Sequence, residues 1–226
     1  MRFSHFIIIL TLVTIVIGLL NIISCSSSLE AGIDNTESSQ LITAETIAEF
    51  PIEELNEGEA NGLIFMREEE KLARDVYIAM YDKWGRRVFN NISESEQKHM
   101  DALKTLIDRY ELDDPVGENA LGEFKNETLQ DLYNMLIEQG SVSLIEALKV
   151  GALIEEIDIL DIQNELDEHV DNQDLTFVYD NLLKGSRNHL RAFVRNLSRQ
   201  GVEYTPLKLS EENYLAIISG EWERGK

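Results

Sequence analysis

The chain has 226 residues, of which 43% are hydrophobic and 27% are charged, so it is long enough to bury one sizeable core. Its 42 acidic residues against 20 lysines and arginines give a formal net charge of −22 at pH 7. Nucleic acids and anionic membranes bind basic patches, so this balance argues against both as partners of the folded surface.

The first 25 residues differ in character from the rest of the chain. Arg2 is followed by an apolar run that starts at Phe6, which is typical of an export signal or a membrane anchor. The run ends in Ile22-Ile23-Ser24-Cys25, which resembles the lipobox of bacterial lipoproteins, and Cys25 is the only cysteine. This resemblance implies a signal peptide over residues 1–25, lipidation of Cys25, and a folded part held at the cell envelope outside the cytoplasm. An uncleaved N-terminal anchor is the alternative.

The remaining chain divides into three parts by composition and periodicity. Residues 26–51 are rich in serine, threonine and acids and are interpreted as a flexible linker, with a helical turn expected at 44–50. Residues 52–201 have almost entirely helical periodicity and form the predicted main domain. Residues 202–226 are predicted to be a tail that contains a short helix at 210–219.

Four long amphipathic helices are predicted in the main domain, with a shorter helix, at 126–139, between the second and the third. The four long helices are expected at about 56–84, 93–110, 141–169 and 173–201, and the third begins at either Ser141 or Ser143. Helices of this length favour an all-α four-helix bundle.

Each predicted inner stripe of these helices carries ionisable residues near its middle. Isolated buried carboxylates are unfavourable, so polar groups that point to the same depth from four helices require a compensating charge, which metal ions would supply. In chain order the helices contribute Glu70, then Glu96 with His99, then Glu155, and finally His189.

The spacing of Glu96 and His99 puts both side chains on one helical face, as in di-iron carboxylate bundles, which use two Glu-x-x-His pairs and two further glutamates. The second pair is incomplete here because Ser186 occupies its carboxylate position. Asp158 is the candidate replacement, since it lies one turn after Glu155 on the third long helix.

Several of these acids have structural alternatives. Glu96 could instead close a capping box with Ser93 at the start of the second long helix. Glu156 is a rival to Glu155, although its stripe fits a solvated edge better. Glu68 and Glu69 are predicted to lie on a solvated face, although Glu69 also falls on an apolar stripe.

Two sets of motifs resemble known families. Glu70-Lys-Leu-Ala73-Arg74-Asp-Val-Tyr77 resembles the E-x-x-A-R-x-x-Y of rubrerythrin's first helix, and Glu96-Gln-Lys-His99 is similar to its second-helix ligand pair. The blocks FMREEEKLARDVY, SEQKHMDAL, GALIEEIDILDIQ and GSRNHLRAF resemble the uncharacterised DUF2202 domain family over about residues 63–197. The resemblance implies a ferritin-like bundle that binds metal, and the family has no established reaction to transfer.

From these patterns we expect an exported, lipid-anchored, ferritin-like protein that binds one or two transition metal ions. Carboxylate and imidazole ligands suit iron first, and manganese or zinc next. Oxidation of ferrous iron or reduction of peroxide would be compatible redox chemistry. A homodimer is compatible with the pattern. The alternative is a metal-free envelope scaffold for interactions, in which Arg74 and water neutralise the inner acids.

Overall fold

The computed structural model describes residues 42–223, whose regular secondary structure is helical and includes no β-strand, so the all-α prediction is confirmed. The helices of this part are α1 (Ala44–Ala48), α2 (Glu57–Trp84), α3 (Arg87–Arg109), α4 (Glu127–Gly140), α5 (Leu144–Glu168), α6 (Gln173–Arg199) and α7 (Glu211–Ser219). The predicted signal peptide, Cys25 and most of the predicted linker lie outside the described residues. Within residues 42–223, no helix combines the length and apolar character needed to span a bilayer.

Local capping chemistry explains where most of the helices begin and end. The Asn56 side chain accepts a hydrogen bond from the Glu59 N–H, and the Glu59 carboxylate accepts one from the Asn56 N–H, so the two residues form a reciprocal cap for α2. The helix ends at Gly85, whose φ of 63° suits a residue without a β-carbon. Ser143 rather than Ser141 caps α5, through a hydrogen bond from the Glu146 N–H.

The predicted start of the second long helix, near Ser93, is wrong. Helix α3 begins at Arg87 without any side-chain cap, so no sequence signal marks its start. Phe89 and Ile92 are buried and extend the apolar stripe toward the N-terminus. Ser93 is therefore inside the helix, where its hydroxyl donates to the Asn90 carbonyl, and the capping box with Glu96 does not form. The Glu96 side chain is free to point into the bundle.

The four long helices pack into a helical bundle. Helix α2 lies mainly against α3, and α5 lies mainly against α6, while contacts between α2 and α5 and between α3 and α6 join the two pairs. The short helix α4 packs on α2 and α5, as expected for a helix in the connection from α3 to α5. The interface at the centre of the bundle is therefore lined by one face of each of the four long helices.

Two acids that were predicted to lie on solvated faces are buried instead, and each accepts hydrogen bonds from a segment that connects helices. Glu68 accepts hydrogen bonds from the backbone N–H groups of Lys125 and Asn126 at the start of α4. Glu156 accepts hydrogen bonds from the Tyr204 hydroxyl and from the backbone N–H groups of residues 207–209. Both predictions of a solvated position were wrong, because these acids pair with backbone donors that are distant in sequence.

Helix α1 lies within the segment interpreted as a linker. Its Ile47 side chain is buried, and the guanidinium of Arg109 donates to the carbonyl groups of Ile47 and Phe50. Residues 43–50 therefore pack on α3 and α6. The domain boundaries proposed from the sequence stay predictions.

Candidate metal centre

Two groups of three buried side chains lie at the centre of the bundle, and we call them the two triads. The first is Glu70, Glu96 and His99, and the second is Glu96, Glu155 and His189. Within each triad, one potential ligand atom from every residue lies within 4.8 Å of the others. Glu96 belongs to both triads, so side chains from α2, α3, α5 and α6 converge on one carboxylate. Five of the six residues predicted as ligands are brought together in this way.

The two oxygens of Glu96 face different imidazoles. Its Oε2 is 2.7 Å from His99 Nδ1, and its Oε1 is 2.9 Å from His189 Nδ1. His99 Nδ1 is also 3.1 Å from Glu70 Oε2, and His189 Nδ1 is 3.4 Å from Glu155 Oε2. The two rings are roughly parallel, with their centroids 5.6 Å apart. The geometry is therefore two similar half-sites that share one carboxylate.

Several polar atoms of the triads are buried without a hydrogen-bond partner. They are both oxygens of Glu96, Oε1 of Glu70, Oε2 of Glu155 and Nδ1 of His189. The Glu96 oxygens lie 2.7 and 2.9 Å from imidazole nitrogens, but neither oxygen forms a hydrogen bond with them. Leaving buried polar groups unpaired is unfavourable by about 1 to 3 kcal/mol each, and more for charged groups. Atoms that converge without hydrogen-bonding to one another fit the ligands of a cation.

Within the described part of the chain, no lysine or arginine forms an ion pair with the carboxylates of the triads. Arg74, proposed above as their counter-charge, donates instead to Asp75 and to the Gln97 side chain. The two histidines are the only cationic groups seen next to these acids among residues 42–223. The negative charge of the cluster is therefore offset only by its own imidazoles.

Burial and mutual contact shift the pKa of every member of the triads. Burial raises the pKa of Glu70 and of Glu155 to about 7. Burial also opposes ionisation of Glu96, but the charges of His189 and His99 outweigh it and hold the Glu96 pKa well below its usual range. Burial would lower the pKa of His99, but the nearby carboxylates of Glu70 and Glu96 raise it to about 10. In the same way, Glu96 and Glu155 raise the pKa of His189. Ion binding to this cluster would therefore displace protons from the histidines.

Neighbouring groups orient the side chains of the triads. His189 Nε2 lies 3.0 Å from the Ser95 hydroxyl oxygen, which leaves Nδ1 directed toward Glu96 and Glu155. The Tyr77 hydroxyl donates to Glu155 Oε1. Such contacts hold metal-binding side chains in place and select the nitrogen that faces the ion. Tyr77 belongs to the motif recognised in the sequence, but no sequence signal singled out Ser95.

The remaining residues proposed from the sequence lie beside the triads. Asp158 is buried and neither of its oxygens has a hydrogen-bond partner, but it belongs to neither triad. Ser186 is also buried, and its hydroxyl donates to the Leu182 carbonyl one turn earlier in α6. Ser186 is therefore engaged with the helix backbone, as buried helical serines commonly are. Of the two rival acids on α5, Glu155 is in a triad and Glu156 is not.

The fold and these residues define an all-helical protein with a buried cluster of carboxylates and imidazoles. The sequence model of the family described as an uncharacterized protein domain, DUF2202, matches residues 59–221, so the chain belongs to this family. The resemblance found in the sequence motifs is thereby confirmed.

One relative is similar to this chain both in sequence and in structure. The uncharacterized protein MJ0754 of Methanocaldococcus jannaschii is 51% identical over 181 residues, which are 80% of this chain and 97% of the relative. The crystal structure of the hypothetical protein MJ0754 from Methanococcus jannaschii matches with a TM-score of 0.75 at 51% identity, and the match covers 76% of this chain and 98% of the other. The relative is described as uncharacterized, so it brings no activity to this chain.

Proposed function

We propose that the chain is an exported, lipid-anchored protein whose long helices form a ferritin-like four-helix bundle that binds one or two transition metal ions. The observation that carries this proposal is Glu96, a buried carboxylate whose two oxygens face two different histidines without hydrogen-bonding to either. A carboxylate in this arrangement is suited to bridge two adjacent ions. Ions at this position would take the place of the protons that the two imidazoles hold in the ion-free cluster.

Glu70, Glu96 and His99 would hold one ion, and Glu96, Glu155 and His189 would hold the other. Asp158 stays a candidate additional ligand, since its carboxylate is buried and unpaired close to both triads. The mixed carboxylate and imidazole donor set favours iron, with manganese or zinc as alternatives. If only one triad is occupied, Glu96 would still contribute one oxygen to it.

Bound iron would supply one-electron chemistry compatible with oxidation of ferrous iron or reduction of peroxide. The protein's own contribution would be to hold the ligands in a dry interior. Tyr77 would fix the orientation of Glu155, and Ser95 would fix that of His189. Export and lipid anchoring depend on the resemblance of residues 22–25 to a lipobox.

The metal content of the purified protein tests the proposal. The full-length chain, expressed with iron and purified in detergent, should contain about one or two metal ions per chain. The double variant Glu96→Ala, His99→Ala should contain none. The matched control is Glu94→Ala, which removes an exposed acid from the same helix and should keep the metal. A metal-free wild-type protein after iron-supplemented expression would contradict the proposal.

Thermal unfolding separates this function from that of a metal-free scaffold. A ligand that binds only the native state stabilises it by about 2.7 kcal/mol at one hundred times its dissociation constant. Adding iron, manganese or zinc should therefore raise the melting temperature of the wild-type protein and leave that of the double variant unchanged. If the protein is a metal-free scaffold, adding metal should leave the melting temperature of both proteins unchanged.

A further inference from the structure

The two triads are closed to solvent. Their five residues are at most 5% exposed. An ion that reaches Glu96 must therefore pass other side chains of the bundle, and polar groups between the triads and the surface would ease its passage.

An open cleft lies between the N-terminal half of α2 and the C-terminal end of α5. Its volume is about 470 Å³, and Glu57, Asn61, Glu165 and His169 are among the residues that line it. The Glu165 carboxylate rests directly on Gly62, where a β-carbon would lie 2.0 Å from Glu165 Oε2. Glycine at position 62 thus leaves room for an acidic side chain at the inner wall of the cleft.

A row of carboxyl groups continues from this cleft toward the triads. On α5 the residues are Glu165, Asp161 and Asp158, at intervals of four and three, which place them on one helical face that ends one turn from Glu155. From α2, the buried Glu69 lines a small cavity together with Asp158. The row therefore has no gap of more than one helical turn between the cleft and Glu155.

The inner members of the row are buried and unpaired. Asp158 is 1% exposed and Glu69 is 2% exposed, yet both oxygens of Asp158 and Oε2 of Glu69 have no hydrogen-bond partner. Oε2 of Glu165 is also without one. Burying adjacent acids in this way is unfavourable for stability, and the helical fold does not require it, because apolar side chains would fill the same face.

The row brings together fewer potential ligands than the triads do. Among residues 42–223, only the two triads bring three metal-binding groups within 4.8 Å of one another. The row offers its carboxyl groups singly or in pairs, which would bind a cation weakly. Groups that attract an ion but do not retain it are suited to passage, because passage requires sites that are easy to leave.

We propose that Glu165, Asp161, Glu69 and Asp158 form an access path by which divalent cations move from the cleft to the two triads. This inference rests on the metal-binding function proposed above. The carboxyl groups raise the local concentration of cations and provide successive oxygen contacts in an otherwise apolar interior. Asp158, at the inner end, would pass the ion to Glu155 and Glu96.

The rate of ion uptake tests the path. The full-length chain in detergent is stripped of metal with a chelator and mixed with Co²⁺, whose visible absorption reports binding to nitrogen and oxygen ligands. In the double variant Asp161→Asn, Glu165→Gln, the uptake rate should fall by about tenfold, because two charges that attract cations are removed. The number of ions bound at equilibrium should equal that of the wild type.

The matched control is the double variant Asp167→Asn, Glu168→Gln, which removes the same charge from exposed positions of the same helix. Its uptake rate should equal that of the wild type. Wild-type uptake in the Asp161 and Glu165 variant overturns the path and leaves the proposed function intact. A lower number of bound ions in that variant also overturns the path, because it makes these acids ligands. Absence of Co²⁺ binding by the wild type overturns the proposed function, and the path with it.

Discussion

At the scale of single residues, adjacent acids of α5 have different roles. Glu155 and Glu156 are both fully buried, but they point in directions about 100° apart around the helix axis. Glu155 faces the bundle centre with Glu96 and His189, whereas Glu156 binds the C-terminal segment through Tyr204 and three backbone N–H groups. Burial alone therefore does not identify a ligand; the partners of each oxygen do.

This difference predicts opposite outcomes for two neighbouring substitutions. Glu155→Gln should lose at least one bound metal ion per chain, because the neutral amide is a poorer ligand. Glu156→Gln should keep its metal but lose about 2 kcal/mol of unfolding free energy, since charge-assisted hydrogen bonds to the tail are weakened. Metal analysis and urea unfolding measure the two effects. Equal metal loss in both variants would contradict the assignment of Glu155 to the site.

At the scale of elements, the contact between α3 and α6 positions one imidazole. A β-carbon at Gly185 would lie 2.7 Å from both Cε1 and Nε2 of His99, so the ring packs directly against the backbone of α6. The absence of a side chain at this position lets His99 sit between Glu70 and Glu96. The register of α3 matters equally, because its start at Arg87 places Glu96 in the middle of the helix.

We expect Gly185→Ala to displace the His99 ring and reduce metal affinity by at least tenfold, while the helix content stays the same. Alanine favours a helix by up to about 1 kcal/mol over glycine, which offsets part of the steric strain and keeps the variant folded. Titration with Co²⁺ and circular dichroism give the two measurements. Lys184→Ala, at the preceding position of α6, is the control and should bind metal as the wild type does. Unchanged affinity in Gly185→Ala would show that His99 is not a ligand.

At the scale of the whole molecule, the metal-free protein should be sensitive to pH. The pKa of His99 is about 10 in the folded protein against 6.5 in an unfolded chain. The protonated imidazole therefore stabilises the folded state fully below pH 6.5, and this stabilisation is lost as the pH rises from 6.5 to 10. Glu70 and Glu155 have a pKa of about 7 instead of 4.5, so raising the pH from 4.5 to 7 also favours unfolding. Glu96, with a lowered pKa, contributes stability that is lost as the pH falls below 4.5.

The chelator-treated protein should therefore be most stable near pH 5, with a melting temperature that falls steadily toward pH 10. Melting curves at intervals between pH 4 and pH 10 measure this profile. The Glu70→Gln variant has no ionisable group at position 70. Its melting temperature should therefore change less than that of the wild type between pH 4.5 and 7. A wild-type profile that is flat or rises above pH 5 would contradict the pKa shifts in the cluster.

Helical class and most of the site residues could be predicted from the sequence, because periodicity, capping and residue spacing act within a few residues. The family was predicted from the resemblance of four sequence blocks to a known family. The cap at Asn56, the stop at Gly85 and the inward stripes of the long helices are local signals. The spacing of Glu96 and His99, and the polar interruption of each stripe, identified five side chains that the bundle brings together. Their binding of metal stays a prediction.

Only the tertiary structure decided which distant residues each buried side chain contacts. Glu68 and Glu156 look like surface acids in isolation, but both are buried in the fold and accept hydrogen bonds from backbone N–H groups more than 45 residues away. The start of α3 carries no cap, so its register depends on the packing of Phe89 and Ile92 against the other helices. The spacing of Glu165, Asp161 and Asp158 on α5 is visible in the sequence, whereas the small cavity that Asp158 shares with Glu69 exists only because α2 packs on α5. Local periodicity determines which side of a helix is buried, whereas only packing determines what each buried acid meets there.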